Sequence, residues 1–276
     1  MKIIDGKAFG AKLRAQLKEK IQNSHKIPGL AVVIVGTDPA SQIYVRNKIK
    51  ACEEVGIRSY SYELPETATQ AQLENLLEEL AVNDQIDGIL LQLPLPKGFD
   101  AESAMAKIPV EKDVDGFSAE NLGRLALNKP GLVSCTPLGV MKLLENEGVD
   151  ITGKQAVVLG RSDTVGKPMA LLLLNANATV TICHSKTKNL KEICKNADIL
   201  VSAIGKPKYV TADMVKDGAI VIDIGINREE NGKICGDVDF ESVKDKTSLI
   251  TPVPGGVGPM TITMLMYNTC LTAFKE

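Results

Sequence analysis

Residues 155–183 read QAVVLGRSDTVGKPMALLLLNANATVTIC. Gln155–Leu159 is a short apolar run that stops at Gly160. After a polar turn, Val165–Leu174 is apolar enough for a packed helix, and Ala178–Cys183 is again strand-like. Strand, helix and strand in that order make a parallel pair with a crossover helix. The turn Gly160-Arg161-Ser162-Asp163-Thr164-Val165-Gly166 stands directly before the helix. Backbone N–H groups and a helix N-terminus meet there, a geometry that suits a pyrophosphate. The string is not G-x-G-x-x-G, so an ordinary strand-to-helix turn is the other reading.

The same alternation continues downstream. Asn189–Lys195 reads as a helix, Ile199–Ala203 as a strand, Ala212–Val215 as a short helix and Ala219–Ile224 as a strand, with Ser248–Ile250 as a last strand. Upstream lies a second series. Phe9, Leu13, Leu17 and Ile21 recur every four residues and predict a helix with one buried stripe. Leu30–Val35 predicts a buried strand, and Ser41 a cap for a helix that runs to Val55 and stops at Gly56. Arg58–Leu64 reads as a strand, and Thr69 with Gln72 as a capping box for a helix carrying Leu73, Leu76, Leu77 and Leu80. Ile86–Leu93 is an apolar strand stopped by Pro94 and Pro96. Thr136 and Pro137 open a helix that ends at Gly148. The pattern is therefore two α/β units joined near residue 140. Thr261–Phe274 is a final helix whose unit the periodicity leaves open.

Composition bounds the function. The 276 residues carry 32 basic and 34 acidic side chains, a net charge of −2, and only 4% aromatics with no Trp. There is no basic field for nucleic acid and little to stack on single strands. The six cysteines show no C-x-x-C spacing and there are only two histidines, so the usual zinc and haem signatures are missing. Reduced, buried thiols are the expectation, and no metal is expected. Apolar runs such as Met169–Leu174 fall far short of the ~18 residues of a membrane span. The N-terminal MKIIDGKAFGAKLRAQL lacks a secretory apolar region. A soluble protein of a reducing compartment is expected.

Several polar groups stand where an open α/β sheet meets ligands, at the carboxyl ends of its strands. The strand after the glycine turn ends in Cys183-His184-Ser185-Lys186-Thr187-Lys188, with no carboxylate for a ribose hydroxyl. Arg161 and Ser185 can instead bond a 2′-phosphate, which points to NADP rather than NAD. The lysines nearby read as a solvated face. Ile226, in DIGIN, could meet the same cofactor or sit in a plain turn. In the first unit Tyr44 and Lys48 share one helix face, with Ser41 a turn earlier. They suit proton transfer, or are a surface Lys stacked on a Tyr. Gln92 is the polar end of the strand in LLQLPLP, positioned to meet a ligand or simply to close the strand. In EKDVDGF, Asp113 and Asp115 are alternate residues, suited to paired carboxylates, to bidentate bonding of an amidine-like ring edge, or to a turn. Thr251–Pro259 is a stiff Pro/Gly loop that lets backbone approach a ligand.

Together these strings resemble the bifunctional methylenetetrahydrofolate dehydrogenase/methenyltetrahydrofolate cyclohydrolase family. The resemblance rests on S-x-x-Y-x-x-x-K at Ser41–Lys48, LLQLPLP, KDVDGF, CTP, GRSDTVGKP, CHSKT, ADILVSAIGKP, GIN, GDVDF and PVPGGVGPMT, and covers essentially the whole chain. Thr164 stands where the family often has Ile, and leaves the glycine turn intact. The resemblance implies two α/β domains. Residues 1–140 and 261–276 would form a folate-binding catalytic domain, and 141–260 a Rossmann-type NADP-binding domain. The C-terminal helix would pack back on the first domain. It implies Lys48 as the central catalytic residue, Gln92 beside it, Tyr44 supporting the folate and Asp115 holding the pterin. Pro94, Pro254, Gly255 and Gly256 would border the substrate. Gly160, Arg161, Ser162, Ser185 and Ile226 would hold NADP. A cytoplasmic homodimer is implied, with a small-molecule folate as partner and neither nucleic acid nor membrane. Two rivals use the same fold: a shikimate-type NADP dehydrogenase, and a nucleotide-binding module without catalysis. The set Tyr44, Lys48, Gln92 and Asp115 is what separates them.

Overall fold

The computed structural model describes residues 1–229 and 232–275. Among them the chain runs β1 (Lys2–Ile3), α1 (Gly6–Gln22), β2 (Gly29–Val35), α2 (Pro39–Val55), β3 (Arg58–Leu64), α3 (Gln70–Ala81), β4 (Gly88–Leu91), α4 (Ala101–Met105), α5 (Ala119–Ala126), α6 (Cys135–Asn146), β5 (Gln155–Leu159), α7 (Gly166–Asn175), β6 (Thr179–Cys183), α8 (Leu190–Lys195), β7 (Ile199–Ser202), β8 (Ala219–Asp223), β9 (Asn227–Arg228), β10 (Ile234–Cys235), α9 (Phe240–Val243), β11 (Thr247–Ile250) and α10 (Val257–Phe274). Two units result. One holds Ala11–Cys135 and the stretch from Ile262 onward, the other Met1–Gly10 and Thr136–Thr261. No helix of the described residues is long and apolar enough to cross a membrane.

The unit beginning at Ala11 is built on a parallel sheet in the order β3-β2-β4. Its centre, GLAVVIV, is buried at every position, as a strand covered on both faces must be. Leu73, Leu77 and Leu80 of α3 lie over Ala31, Val33, Ile89 and Leu91. The capping box at Thr69 forms: its Oγ1 accepts from Gln72 N at 3.2 Å and Gln72 Oε1 accepts from Thr69 N at 2.8 Å. Ser41 does not cap α2. Asp38 takes that place, accepting from Ser41 N at 2.8 Å, and Pro39 opens the helix. An aspartate directly before proline is the stronger start signal. Helix α10 returns to this unit: Met266 Sδ meets Cys52 Sγ at 3.5 Å, and buried Asn268 donates from Nδ2 to Val114 O (2.8 Å) and Val133 O (2.9 Å).

The other unit carries a parallel sheet ordered β1-β11-β8-β7-β5-β6. The family resemblance implies a domain of residues 1–140, and the contacts within the chain divide it differently. Strand β1 pairs with β11, Lys2 opposite Leu249 and Ile3 opposite Ile250, so the first ten residues join this unit. Two paired residues are too few to show a period. The break also falls at Cys135 rather than 140, and α6 starts at Cys135 without a cap from Thr136, whose hydroxyl meets that of Thr261 at 2.9 Å. Helix α10 starts at Val257, four residues before the periodicity suggests, because Pro259 sits in a first turn where no N–H is needed.

Candidate active site

In the three-stranded unit, chemistry gathers at the carboxyl end of β4. Gln92 follows Leu91, and its backbone N donates to Val33 O at 2.8 Å, so its side chain leaves from a fixed strand end. Helix α2 carries Lys48 to it. Lys48 Nζ donates to Gln92 Oε1 at 3.0 Å, and Gln92 Nε2 is spent on Leu93 O at 2.6 Å. The amide is thereby oriented, with its oxygen toward the ammonium group. Tyr44, one turn earlier, is 42% exposed. Pro94 follows a cis peptide bond after Leu93 and is exposed.

The loop KDVDGF separates its two aspartates. Asp113 is buried and holds the turn: its oxygens accept from Phe117 N (3.2 Å), Ser118 N (2.8 Å) and Asn121 Nδ2 (3.0 Å). Asp115 accepts none of these turn bonds. Burial pushes its carboxyl up, and the Lys48 charge, opposing that, pulls it down. Cys135 also bonds it; this thiol is buried, and burial followed by the Asp115 charge pushes it well up, so it stays neutral. Cys135 is the neighbour that sequence reasoning misses. It reads as one more buried thiol, and only the fold sets it against Asp115. Lys48 and Gln92 thus meet, with Asp115 near enough to feel the Lys48 charge, while Tyr44 makes no hydrogen bond to them.

In the six-stranded unit a cavity of about 280 Å³ opens at the carboxyl ends of β5, β6 and β7. Gly160, Arg161 and Ser185 all line it, with His184, Lys206 and Tyr209. Gly160 has φ 116°, and a Cβ there would stand 2.2 Å from Ala203 O. The turn can therefore lie flat on the next strand only as glycine. No carboxylate lines the cavity, and the Arg161 guanidinium is exposed with no bonded partner among the described residues. That donor set fits a nucleotide carrying an extra phosphate. Ser162 does not line the cavity: its Oγ accepts from Val165 N and Gly166 N, each at 3.2 Å, so it caps α7. Ile226 also lies outside this cavity, 51% exposed and beside Gly258.

The loop with Pro254, Gly255 and Gly256 is pinned by the chain's own start. Lys7 N donates to Gly255 O at 2.9 Å, and a Cβ on Gly6 would stand 1.9 Å from Gly256 O. The close backbone approach expected of its glycines is thus made in part by α1. Among the described residues no cluster of His, Cys, Asp or Glu is arranged to hold a metal ion.

Two parallel α/β units define a two-domain α/β enzyme class, one with a Lys–Gln–Asp cluster at a strand end and one with a glycine-turn nucleotide cavity. Within that class, residues 4–115 match the model for the tetrahydrofolate dehydrogenase/cyclohydrolase catalytic domain, and residues 134–276 that for its NAD(P)-binding domain. The chain belongs to the tetrahydrofolate dehydrogenase/cyclohydrolase family. It is 59% identical over 276 residues to the bifunctional protein FolD of Campylobacter curvus, covering 99% of this chain and 96% of that one. The crystal structure of the bifunctional dehydrogenase/cyclohydrolase from Campylobacter jejuni superposes with a TM-score of 0.98 at 52% identity, covering 100% and 99%. That of the Trypanosoma brucei enzyme, complexed with NADP and an inhibitor, does so with 0.93 at 41%, covering 99% and 97%.

Proposed function

We propose that this chain oxidises 5,10-methylenetetrahydrofolate to the 5,10-methenyl cation with NADP, and then hydrolyses that cation to 10-formyltetrahydrofolate. The Lys48–Gln92 hydrogen bond beside Asp115 carries this reading, since it supplies a held amine and a carboxyl at one strand end. NADP, when bound, accepts the hydride. The carbon that gives up the hydride is already activated by two nitrogens, so placement rather than a strong base governs that step. In the hydrolysis, water adds to the methenyl carbon and a ring nitrogen leaves. Lys48 Nζ moves the proton between them, and Gln92 Oε1 holds Nζ in line. Asp115 bonds the amidine-like edge of the pterin and Tyr44 supports the ring. Pro94, Pro254, Gly255 and Gly256 border the folate. Gly160, Arg161, Ser162, Ser185 and Ile226 serve the cofactor, Ser162 by capping α7.

The reading extends to a cytoplasmic homodimer whose product feeds purine synthesis. Edge strand β6 supports the pairing, because Ile182 on it is an exposed apolar side chain, as is Leu174 on α7. Ile182→Glu should then leave a monomer in light scattering.

The test of the reaction is an assay with 5,10-methylenetetrahydrofolate and either NADP or NAD, following reduced cofactor and methenyl product separately. NADPH formation with little methenyl build-up is expected. Accumulating methenyl would remove the hydrolytic half and the role of Lys48. Faster turnover with NAD would overturn the 2′-phosphate argument. No reduction with either cofactor would end the dehydrogenase reading.

A further inference from the structure

A buried carboxylate outside both sites organises the nucleotide cavity. Asp237, in the GDVDF string after β10, is 0% exposed. Its Oδ2 accepts from Ser202 Oγ (3.2 Å), Ile204 N (2.7 Å) and Gly205 N (3.2 Å). Its Oδ1 accepts from Lys206 N (2.9 Å) and Asn227 Nδ2 (2.9 Å). No Lys, Arg or His forms an ion pair with it among the described residues. Three successive backbone N–H groups, from 204 to 206, turn inward on one anion, which is a nest. Burying a carboxylate without a cation costs several kcal/mol unless its lone pairs are filled, and here five donors fill them. The loop so shaped carries Ile204 and Lys206 into the cavity wall, where the Lys206 amine lies 5.3 Å from the centre of the Tyr209 ring.

The same carboxylate reaches the GIN segment. Asn227 bonds it, and a Cβ on Gly225 would stand 2.2 Å from Oδ1, so the backbone beside Ile226 rests directly on it. Asp223 secures the assembly from behind, with Oδ1 accepting from Asp237 N at 2.9 Å and Oδ2 from Val238 N at 2.9 Å. The cavity loop and the GIN turn, distant in sequence, are therefore registered through one side chain.

We propose that Asp237 is the positioning residue of the cofactor site, holding the Ile204–Lys206 loop and the Gly225–Asn227 turn in the geometry that receives NADP. The proposal rests on the reading of this cavity as the NADP site. An amide cannot replace the carboxylate: whichever way Asn turns, its NH2 faces at least two of the five donors.

The test is the Kd of NADPH by fluorescence titration and the KM for NADP, with cyclohydrolase turnover of 5,10-methenyltetrahydrofolate, which consumes no cofactor, as the control for an intact chain. Asp237→Asn is expected to weaken NADPH binding at least tenfold, ~1.4 kcal/mol, while cyclohydrolase turnover stays within twofold. Asn227→Ala, which removes one of the five donors, is expected to give a smaller loss of two- to fivefold in the same direction. An unchanged NADPH affinity in Asp237→Asn would overturn the proposal. So would equal losses of both activities, which mean a role in folding alone. If Asp237→Asn does not fold, Asn227→Ala decides: weaker NADPH binding supports the proposal and unchanged binding overturns it. Failure of the unsubstituted protein to bind NADPH would instead bring down the cofactor reading, and the proposal with it.

Discussion

Lys48 Nζ and Gln92 Oε1 stand 3.0 Å apart, joining α2 to the carboxyl end of β4. Forty-four residues of sequence separate them, and the parallel crossover β2–α2–β3–α3–β4 brings them together. Positioned proton transfer is worth 10²–10⁴-fold. Lys48→Met should lower cyclohydrolase turnover by about 10²-fold or more, measured on the methenyl substrate, with the fold intact by circular dichroism. Undiminished hydrolysis would remove Lys48 from the mechanism.

Asp115 feels that same ammonium group. Its carboxyl is pushed up by burial and drawn down by Lys48. Removing the positive charge should move it further up, so that protonation begins at higher pH. Binding of a folate through ionised Asp115 should then fail at higher pH in Lys48→Met than in the unsubstituted protein. Folate affinity measured from pH 5 to 9 checks this, and an unmoved midpoint would separate Asp115 from pterin recognition.

Asp223 sets a slope in stability. Burial pushes its carboxyl up from 3.8 to about 7, against three backbone N–H donors that favour the ion. A raised carboxyl binds more protons folded than unfolded, so its contribution is complete below pH ~4 and is lost as pH rises toward 7. The full effect is on the order of 4 kcal/mol. Carboxyls held low by partners, such as Asp198 and Asp213, act in the opposite sense and at lower pH. Melting temperature should fall between pH 5 and 7.5, and Asp223→Asn should flatten that fall. An identical pH slope in the variant would refute the assignment.

Arg161 offers its guanidinium to the nucleotide cavity with no carboxylate bonded to it among the described residues. A charge-assisted hydrogen bond contributes about 1.5–3 kcal/mol. Arg161→Ala should raise the KM for NADP about tenfold or more, that bond being lost, and leave the KM for NAD nearly unchanged. Equal losses for both dinucleotides would place the guanidinium away from the 2′-phosphate.

Asn268 ties α10 to the three-stranded unit through two carbonyls, the buried Val114 O and the half-buried Val133 O. Asn268→Ala removes the amide donor from Val133 O and leaves Val114 O only the Cys135 thiol at 3.3 Å, and should cost about 1–3 kcal/mol, the cost of one orphaned group. Urea unfolding followed by far-ultraviolet circular dichroism checks it. A loss under 0.5 kcal/mol would mean that water reaches those carbonyls.

Local signals were legible wherever the chain's own chemistry is enough. The capping box at Thr69 and Gln72, the stop at Gly56, the apolar run of β2 and the turn at Gly160 each depend on residues within a few positions of one another. So does the shared helix face of Tyr44 and Lys48. These patterns, with the family resemblance they carry, determine two parallel α/β units and single out candidate residues for a folate and NADP. What they could not show is pairing over distance. Strand β1 is two residues long and exists because β11 offers it an edge, so it joins a unit more than a hundred residues away in sequence. Asp113 and Asp115 look alike in EKDVDGF, and only the turn at 117–121 takes one and leaves the other to Lys48 and Cys135. Asp237 looks like one acidic residue among many until five donors converge on it. A side chain's identity is local, whereas its desolvation and its partners are set by the chain segments that folding brings around it.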